Sequence, residues 1–312
     1  MGGDAEFIQA INNKNVVLSM GGYWRITDLP DENPLIKKIG VLRKGQFESR
    51  LFFPTVTHLV RNIPKIEAAT LGHGVSSLFV DRDGVLRRMP LIINYQGHLY
   101  PSLAMETVRI SEKQKGILVE MNSAGITNVR LKNGVSFPTD SHGRVWVRFR
   151  PGLSSHFVSA NDVVANRFDA SAIKGKIVIF GSDAVGLGFT ATTPTSSAMS
   201  SIEIMAQHIE SLISGDYLTR HNYVFVQELL FLFVVGLIVL VGLPLLPIRY
   251  GVVVFTVGVA GIIGFSWYLY TWEKLLIDAS APVAATTLIF VANMVTRSIQ
   301  IEKRRKDKVA GV

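Results

Sequence analysis

Past Arg220 the polar character of the chain gives way to three runs that are almost wholly apolar, from about Tyr223 to Leu243, Tyr250 to Tyr270 and Leu275 to Val295. Each is close to the ~20 residues that a helix needs to cross a hydrocarbon core about 30 Å thick, and a helix satisfies its backbone groups internally. The separators are helix-breaking or charged: Pro244, Pro247 and Arg249 after the first run, Glu273 and Lys274 after the second. Tyr268, Tyr270 and Trp272 fall where an aromatic belt would lie. Three buried helices of a large soluble core are the competing reading, and the lack of any charged residue in the second run argues against it.

Residues 1–220 follow a different pattern, with short apolar runs punctuated by turn residues. Asp4 to Ile11 predicts an amphipathic helix ending at Asn12 and Asn13, and Asn15 to Met20 a buried strand bounded by Gly21 and Gly22. Gly74–Val80 and Val85–Ile93 flank Asp81-Arg82-Asp83-Gly84, a hairpin signal because Asp-Gly suits a turn with positive φ. Pro101 to Val108 predicts a helix, and residues 115–150 predict short strands separated at Asn133-Gly134 and His142-Gly143. Ser159 to Asp162 predicts a capped helix start. Lys174 to Gly181 is the strongest buried-strand signal in the chain. Ser201 to Ser214 predicts an amphipathic helix that Gly215 ends, followed without a linker by Asp216–Arg220. The fold class is thus an α/β domain, a mixed sheet flanked by helices over residues 1–220, plus a three-helix transmembrane bundle over 221–297 and a basic tail over 298–312.

Charge adds an orientation. The net charge is +8, and part of the excess, Lys303, Arg304, Arg305, Lys306 and Lys308, directly follows an apolar run. That placement predicts an anchor on an anionic inner leaflet, not nucleic-acid binding, because no aromatic residues interleave with the run. The loops before it hold only Arg249 and Lys274. A cytoplasmic tail then places residues 1–220 outside the cytoplasm of a cell whose plasma membrane is crossed several times. Met1-Gly2-Gly3-Asp4 has no apolar core of a signal peptide, so this orientation requires a signal anchor ahead of the present start; otherwise the orientation is reversed. The absence of cysteine excludes disulfides, thiol catalysis and thiolate metal sites.

Four segments in this order resemble a known family. They are Asn15 to Leu18 after Asp4-x-x-Phe7, Asp81 to Arg88 followed by Tyr100 to Ala104, Gly175 to Gly181 through Gly186-Leu187-Gly188 and Thr193-Pro194-Thr195, and Glu203-Ile204-x-Ala206 before Tyr217-Leu218. Together they are similar to the CHASE-type sensor domain of the second class, over most of residues 4–296. The resemblance implies an extracytoplasmic sensor followed by three transmembrane helices and, in whole proteins, a cytoplasmic effector such as a nucleotide cyclase or a histidine kinase. Two positions depart from that pattern: Phe189 stands where the family has an acidic residue, and Ser201-Ile202 where it has glycine.

Candidate site residues are few. Ser182 to Gly188 follows a predicted strand, but lacks the Gly-Lys-Ser/Thr of a phosphate loop and the GxGxxG of a dinucleotide site. It reads as a structural turn or part of a ligand loop. Asp81, Asp83, Arg87 and Arg88 read as a solvated, salt-bridged hairpin; since neighbouring strand positions face opposite ways, Arg87 and Arg88 should not share one pocket. The ligand-site candidates are Arg87, Asp183, Gly186, Gly188 and Thr193. The histidines at 58, 73, 98, 142, 156, 208 and 221 show no i,i+3 or i,i+4 pairing, and no metal or other cofactor is expected. Gln227, Glu228, Asp278 and Asn293 enter the membrane zone near its edges, where hydration is the plainer reading. Gly258, Gly261 and Gly264 should allow close helix packing.

The function expected is sensing of a small ligand and transduction to a fused effector, in a homodimer bound to membrane lipid, with no catalytic role for this chain itself. A membrane-tethered hydrolase using residues 181–200, and a structural membrane protein without a ligand, are the alternatives.

Overall fold

The computed structural model describes residues 2–24, 40–44, 52–152, 157–183, 188–220 and 224–310. They divide into two compact units, Met1–Tyr217 and Leu218–Val312.

In the first unit helix α1 (Gly2–Ile11) leads to strands β1 (Val17–Tyr23), β2 (Gly40–Lys44), β3 (Thr55–Val56) and β4 (His58–Val60). Helix α2 (Pro64–Ala69), strands β5 (Gly72–Val75), β6 (Arg88–Pro90), β7 (Ile92–Tyr95) and β8 (His98–Pro101), and helix α3 (Leu103–Ser111) follow. Then come β9 (Gly116–Asn122), β10 (Gly125–Leu131), β11 (Ser136–Pro138), β12 (Arg144–Val147), α4 (Ala160–Val164), β13 (Thr190–Thr193), β14 (Ser196–Ser200) and α5 (Ser201–Ser214). Among the described residues the strands form several small sheets, some of mixed direction, and not one continuous sheet. β1 runs parallel to β5 and antiparallel to β4. β9 runs parallel to β2 and antiparallel to β10, which pairs with β11. β7 lies between β3 and β8, β6 pairs with β12, and β13 with β14.

The main core joins these sheets to α3 and α5. Leu86, Met89, Leu91 and Ile92 meet Met105 and Val108 of α3, Ile117 and Val129 of the β9–β10 pair, and Ile204 and Leu212 of α5. Side-chain caps start both of these helices. Ser102 accepts the Met105 N–H to cap α3, and Ser200 accepts the Glu203 N–H to cap α5. Gly215, at φ +65°, ends α5 in the left-handed conformation that glycine adopts without a Cβ penalty. Gly74 is required for contact: a Cβ there would lie 2.6 Å from the Leu103 nitrogen and 2.8 Å from the Ser102 oxygen, so β5 and α3 meet backbone to backbone.

Two sequence expectations are corrected. The arms around Asp81–Gly84 do not pair with each other. The turn closes through Asp81 N–H to Val85 O (3.0 Å) and Gly84 N–H to Asp81 O (2.9 Å), after which β5 joins β1 and β6 joins β12. Residues 177–181 belong to no strand among the described residues and are mostly exposed, Val178 63% and Phe180 89% accessible, although Ile179 packs against the main core. An apolar run is buried as a strand only where a neighbouring strand accepts its ladder, and no described segment does so here.

The second unit holds α6 (Val224–Gly242), α7 (Ile248–Tyr268), which continues as a π-helical turn to Glu273, and α8 (Ser280–Ala310). Ile248–Glu273 and Ser280–Lys303 are long and apolar enough to cross a membrane; the apolar stretch Val226–Gly242 is shorter. The last helix starts at Ser280, not near Leu275, because Lys274 takes a left-handed conformation (φ 53°) and Asp278 bonds the Ser280 N–H at 2.8 Å. It continues through the basic segment as far as Ala310. Phe255 of α7 stacks on Phe290 of α8 at 4.2 Å, and α6 comes close to α8 where Gly236 faces Ile289. Three of the four glycines of α7 make no packing contact among the described residues: nothing lies within 4 Å of a Cβ placed at Gly258, Gly261 or Gly264. Gly258 and Gly261 instead line an apolar groove of about 750 Å³ beside α6.

Candidate functional site

Among its described residues the first unit holds a cleft of about 450 Å³ assembled from four separated segments. Trp24 follows β1. Phe79 and its neighbours Leu78 and Val80 follow β5, Pro54 precedes and Thr55 begins β3, and His142 lies in the turn before β12, which Arg144 begins. A cleft of this size, apolar with a few convergent polar groups, suits a small organic ligand.

Backbone constraints hold the aromatic wall. Gly22 donates its N–H to Ser77 Oγ at 2.8 Å, and the same hydroxyl donates to Gly22 O at 2.8 Å. A Cβ at Gly22 would sit 2.8 Å from both Ser77 Oγ and Val56 Cγ1, so this approach requires glycine. The link brings Trp24 edge-on to Phe79, with ring centroids 4.8 Å apart at 85°, a favoured aromatic geometry.

The polar wall is held by Asp140, which is 9% exposed. One of its oxygens accepts the backbone N–H groups of His142 and Arg144, both at 3.0 Å; the other accepts Arg144 Nε at 2.9 Å and Arg88 Nη1 at 3.2 Å. Arg88 also bonds Asp81 and lies over the Trp146 ring at 4.9 Å. Arg144 reaches Asp81 at 3.8 Å. Asp83 holds Arg87 in a two-point pair at 3.0 and 2.8 Å. That pair, chiefly through the Arg87 hydrogen bonds, lowers the Asp83 carboxyl to about 2 and raises the Arg87 guanidinium. Three aspartates and three arginines therefore cancel, and the cleft presents donors without a net charge.

The sequence-based candidates fare unevenly. Arg87 faces its own turn and pairs with Asp83 and Asp81, so it does not line the cleft. Arg87 and Arg88 do share one partner, Asp81, against the alternation argument; Arg87 precedes β6, so strand alternation does not yet apply to it. Thr193 is buried and closes its own turn with Ser196, at 3.2 and 3.3 Å. Its strand lies beside the Arg87 turn through Leu86 N–H to Thr192 O at 2.7 Å. Asp183 is exposed, Gly188 half-buried, and Gly186 lies outside the described residues. The structure brings together Arg87 and the Thr193 loop, and does not gather the four described candidates into one pocket. Trp24, Phe79, His142 and Arg144 were missed. Asp140 four positions before Arg144 was the available signal, as an acceptor poised over a His-Gly turn.

Two further features complete the unit. His208 on α5 is wholly buried, neither ring nitrogen has a partner among the described residues, and burial lowers its pKa to about 3. At the end of α5, Asp216 accepts Arg148 at 3.3 Å and Arg150 at 2.5 Å, while Gln207 bonds the Arg150 backbone on both sides at 2.8 and 2.9 Å. The point where the chain leaves α5 is thereby clamped to the segment that follows β12. Among the described residues no three His, Asp or Glu side chains are placed to hold a metal ion.

A family model described as the CHASE2 domain matches residues 2–243. No curated protein and no solved structure matches the chain.

Proposed function

The chain belongs to the CHASE2 family, a family of sensor domains in signal-transduction proteins, and on that premise we propose that it binds a small, largely apolar molecule in the Trp24–Phe79–Arg144 cleft and passes the resulting bias across a membrane to a cytoplasmic effector. The observation that carries this reading is the cleft's construction. Its walls come from four segments spread from Trp24 to Arg144, so a molecule that draws them together favours one arrangement of the sheets over another. A ligand shifts such an equilibrium only by its differential affinity for the two arrangements. The cancelled charges beneath the cleft favour a neutral ligand, with an acceptor group for Arg144 or Thr55.

In this reading α6 is a third span beside α7 and α8, residues 1–217 are extracytoplasmic, and the end of α8 is cytoplasmic. The cluster of Lys303, Arg304, Arg305, Lys306 and Lys308 supports that orientation. The receptor acts as a homodimer and contributes no catalytic step itself.

Thermal shift of the full chain in lipid nanodiscs, against a panel of small neutral aromatic and aliphatic molecules, tests the reading. Hits should raise the melting temperature of the wild type and lose that effect in Trp24→Ala and Phe79→Ala. Hits whose effect survives both substitutions would place binding elsewhere.

A further inference from the structure

Resting on the reading of the chain as a transducer, we infer that Glu228 is a positioning residue that latches the segment entering the membrane helices to the start of α8. Thr219 and Arg220 carry the chain toward α6. Thr219 forms a parallel β-bridge with Leu275: its N–H donates to Lys274 O at 2.8 Å, and the Leu276 N–H donates to Thr219 O at 2.9 Å. The entering segment is therefore hydrogen-bonded to the loop between α7 and α8, not only joined covalently to α6.

Glu228 closes this junction from the second turn of α6. One carboxylate oxygen accepts Arg220 Nη2 at 2.8 Å, and the other accepts the Asp278 backbone N–H at 2.7 Å. Asp278 in turn accepts the Ser280 N–H at 2.8 Å and the Ser280 hydroxyl at 2.6 Å, which fixes the first residue of α8. Ser266 of α7 donates to Ile277 O at 3.2 Å, so the same loop also touches the remaining helix. The Glu228 side chain is only 13% exposed. A carboxylate in so apolar a helix is costly unless it is paired. Here its two oxygens serve two different elements, so neither partner alone accounts for its place. Movement of Arg220 is transmitted through Glu228 to Asp278 and so to α8, in parallel with the covalent path through α6.

The chain has no cysteine, which makes a direct test clean. Parallel-bridge partners lie within disulfide reach, so the double variant Thr219→Cys/Leu275→Cys of the full chain in nanodiscs should cross-link on mild oxidation. Adding Glu228→Leu should slow that cross-linking severalfold. In hydrogen exchange, the amides of residues 276–280 should lose about tenfold in protection in Glu228→Leu, since a charged acceptor is removed. Glu228→Gln, which keeps an oxygen for the Asp278 N–H, should lose much less. Unchanged protection in α3 and α5 shows that the variant remains folded. Failure of the double-cysteine variant to cross-link, or unaltered protection at 276–280 in Glu228→Leu, overturns the latch. With a reporter fused at the C-terminus, signalling in Glu228→Leu equal to that of the wild type overturns the coupling role. A wild type that never responds, with the latch demonstrated, counts against the transducer reading instead.

Discussion

Replacing His208 by leucine should remove the acid sensitivity that this buried ring gives the α/β unit. The ring is fully buried against the core, and burial lowers its pKa from 6.5 to about 3. Below pH 6.5 the unfolded chain takes up a proton at this position that the folded chain refuses. The unfolded state then binds more protons, so stability falls as pH falls, and continues to fall toward pH 3. From pH 7.5 to pH 5 this amounts to about 2 kcal/mol, or roughly 4–8 °C in melting temperature for a unit of this size. The neighbouring helix α3 brings Glu106 and Arg109, and Glu106 acts with the opposite sign. Burial raises its carboxyl more than Arg109 lowers it, so the folded state holds the extra proton and acidification adds stability. That contribution is present in both proteins and cancels in their difference. The assay is thermal unfolding of the full chain in nanodiscs at pH 7.5, 6.5, 5.5 and 5.0, comparing wild type with His208→Leu. At pH 7.5 the variant should melt no lower than the wild type, because it deletes two buried polar atoms that lack partners among the described residues. Parallel pH curves for the two proteins would refute the reasoning.

Two further outcomes follow from the core. Gly74→Ala inserts a methyl group between β5 and the backbone of Leu103 and Ser102; it should cost about 1–3 kcal/mol, and a melting temperature equal to the wild type's would contradict the close approach. Arg109 holds the fully buried Glu106 through bonds of 2.7 and 2.6 Å; Arg109→Leu should cost about 3–5 kcal/mol, and the double variant Glu106→Leu/Arg109→Leu should recover much of that loss, whereas simple additivity of the two single changes in unfolding experiments would dismiss the pair as a unit.

Local chemistry was legible wherever a residue acts on its own backbone. Gly215 ends α5, Ser159 caps α4, and the glycines of Asp81–Gly84, Asn133-Gly134 and His142-Gly143 all take positive φ. What depends on a distant partner was not legible. Phe180 and Val178 read as core because an apolar run specifies a wish for burial but not a neighbour to provide it. The cleft escaped notice for the same reason, since Trp24 meets Phe79 only after β1 and β5 pair, and Arg144 reaches them only through Asp140 and the β6–β12 pair. Glu228 read as hydrated because the sequence does not reveal that Arg220 and the Asp278 amide converge on it.

The unbroken course of α8 from Ser280 to Ala310 has a geometric consequence of its own. A straight α-helix of that length is a rod of roughly 46 Å, in which each residue adds about 1.5 Å and a turn of about 100°. A group carried at the Ala310 end therefore keeps a fixed angular phase relative to Ser280 at the other end. Removing one residue would swing it by more than a quarter of a circle while shortening the rod only slightly, whereas removing seven would nearly restore the original heading.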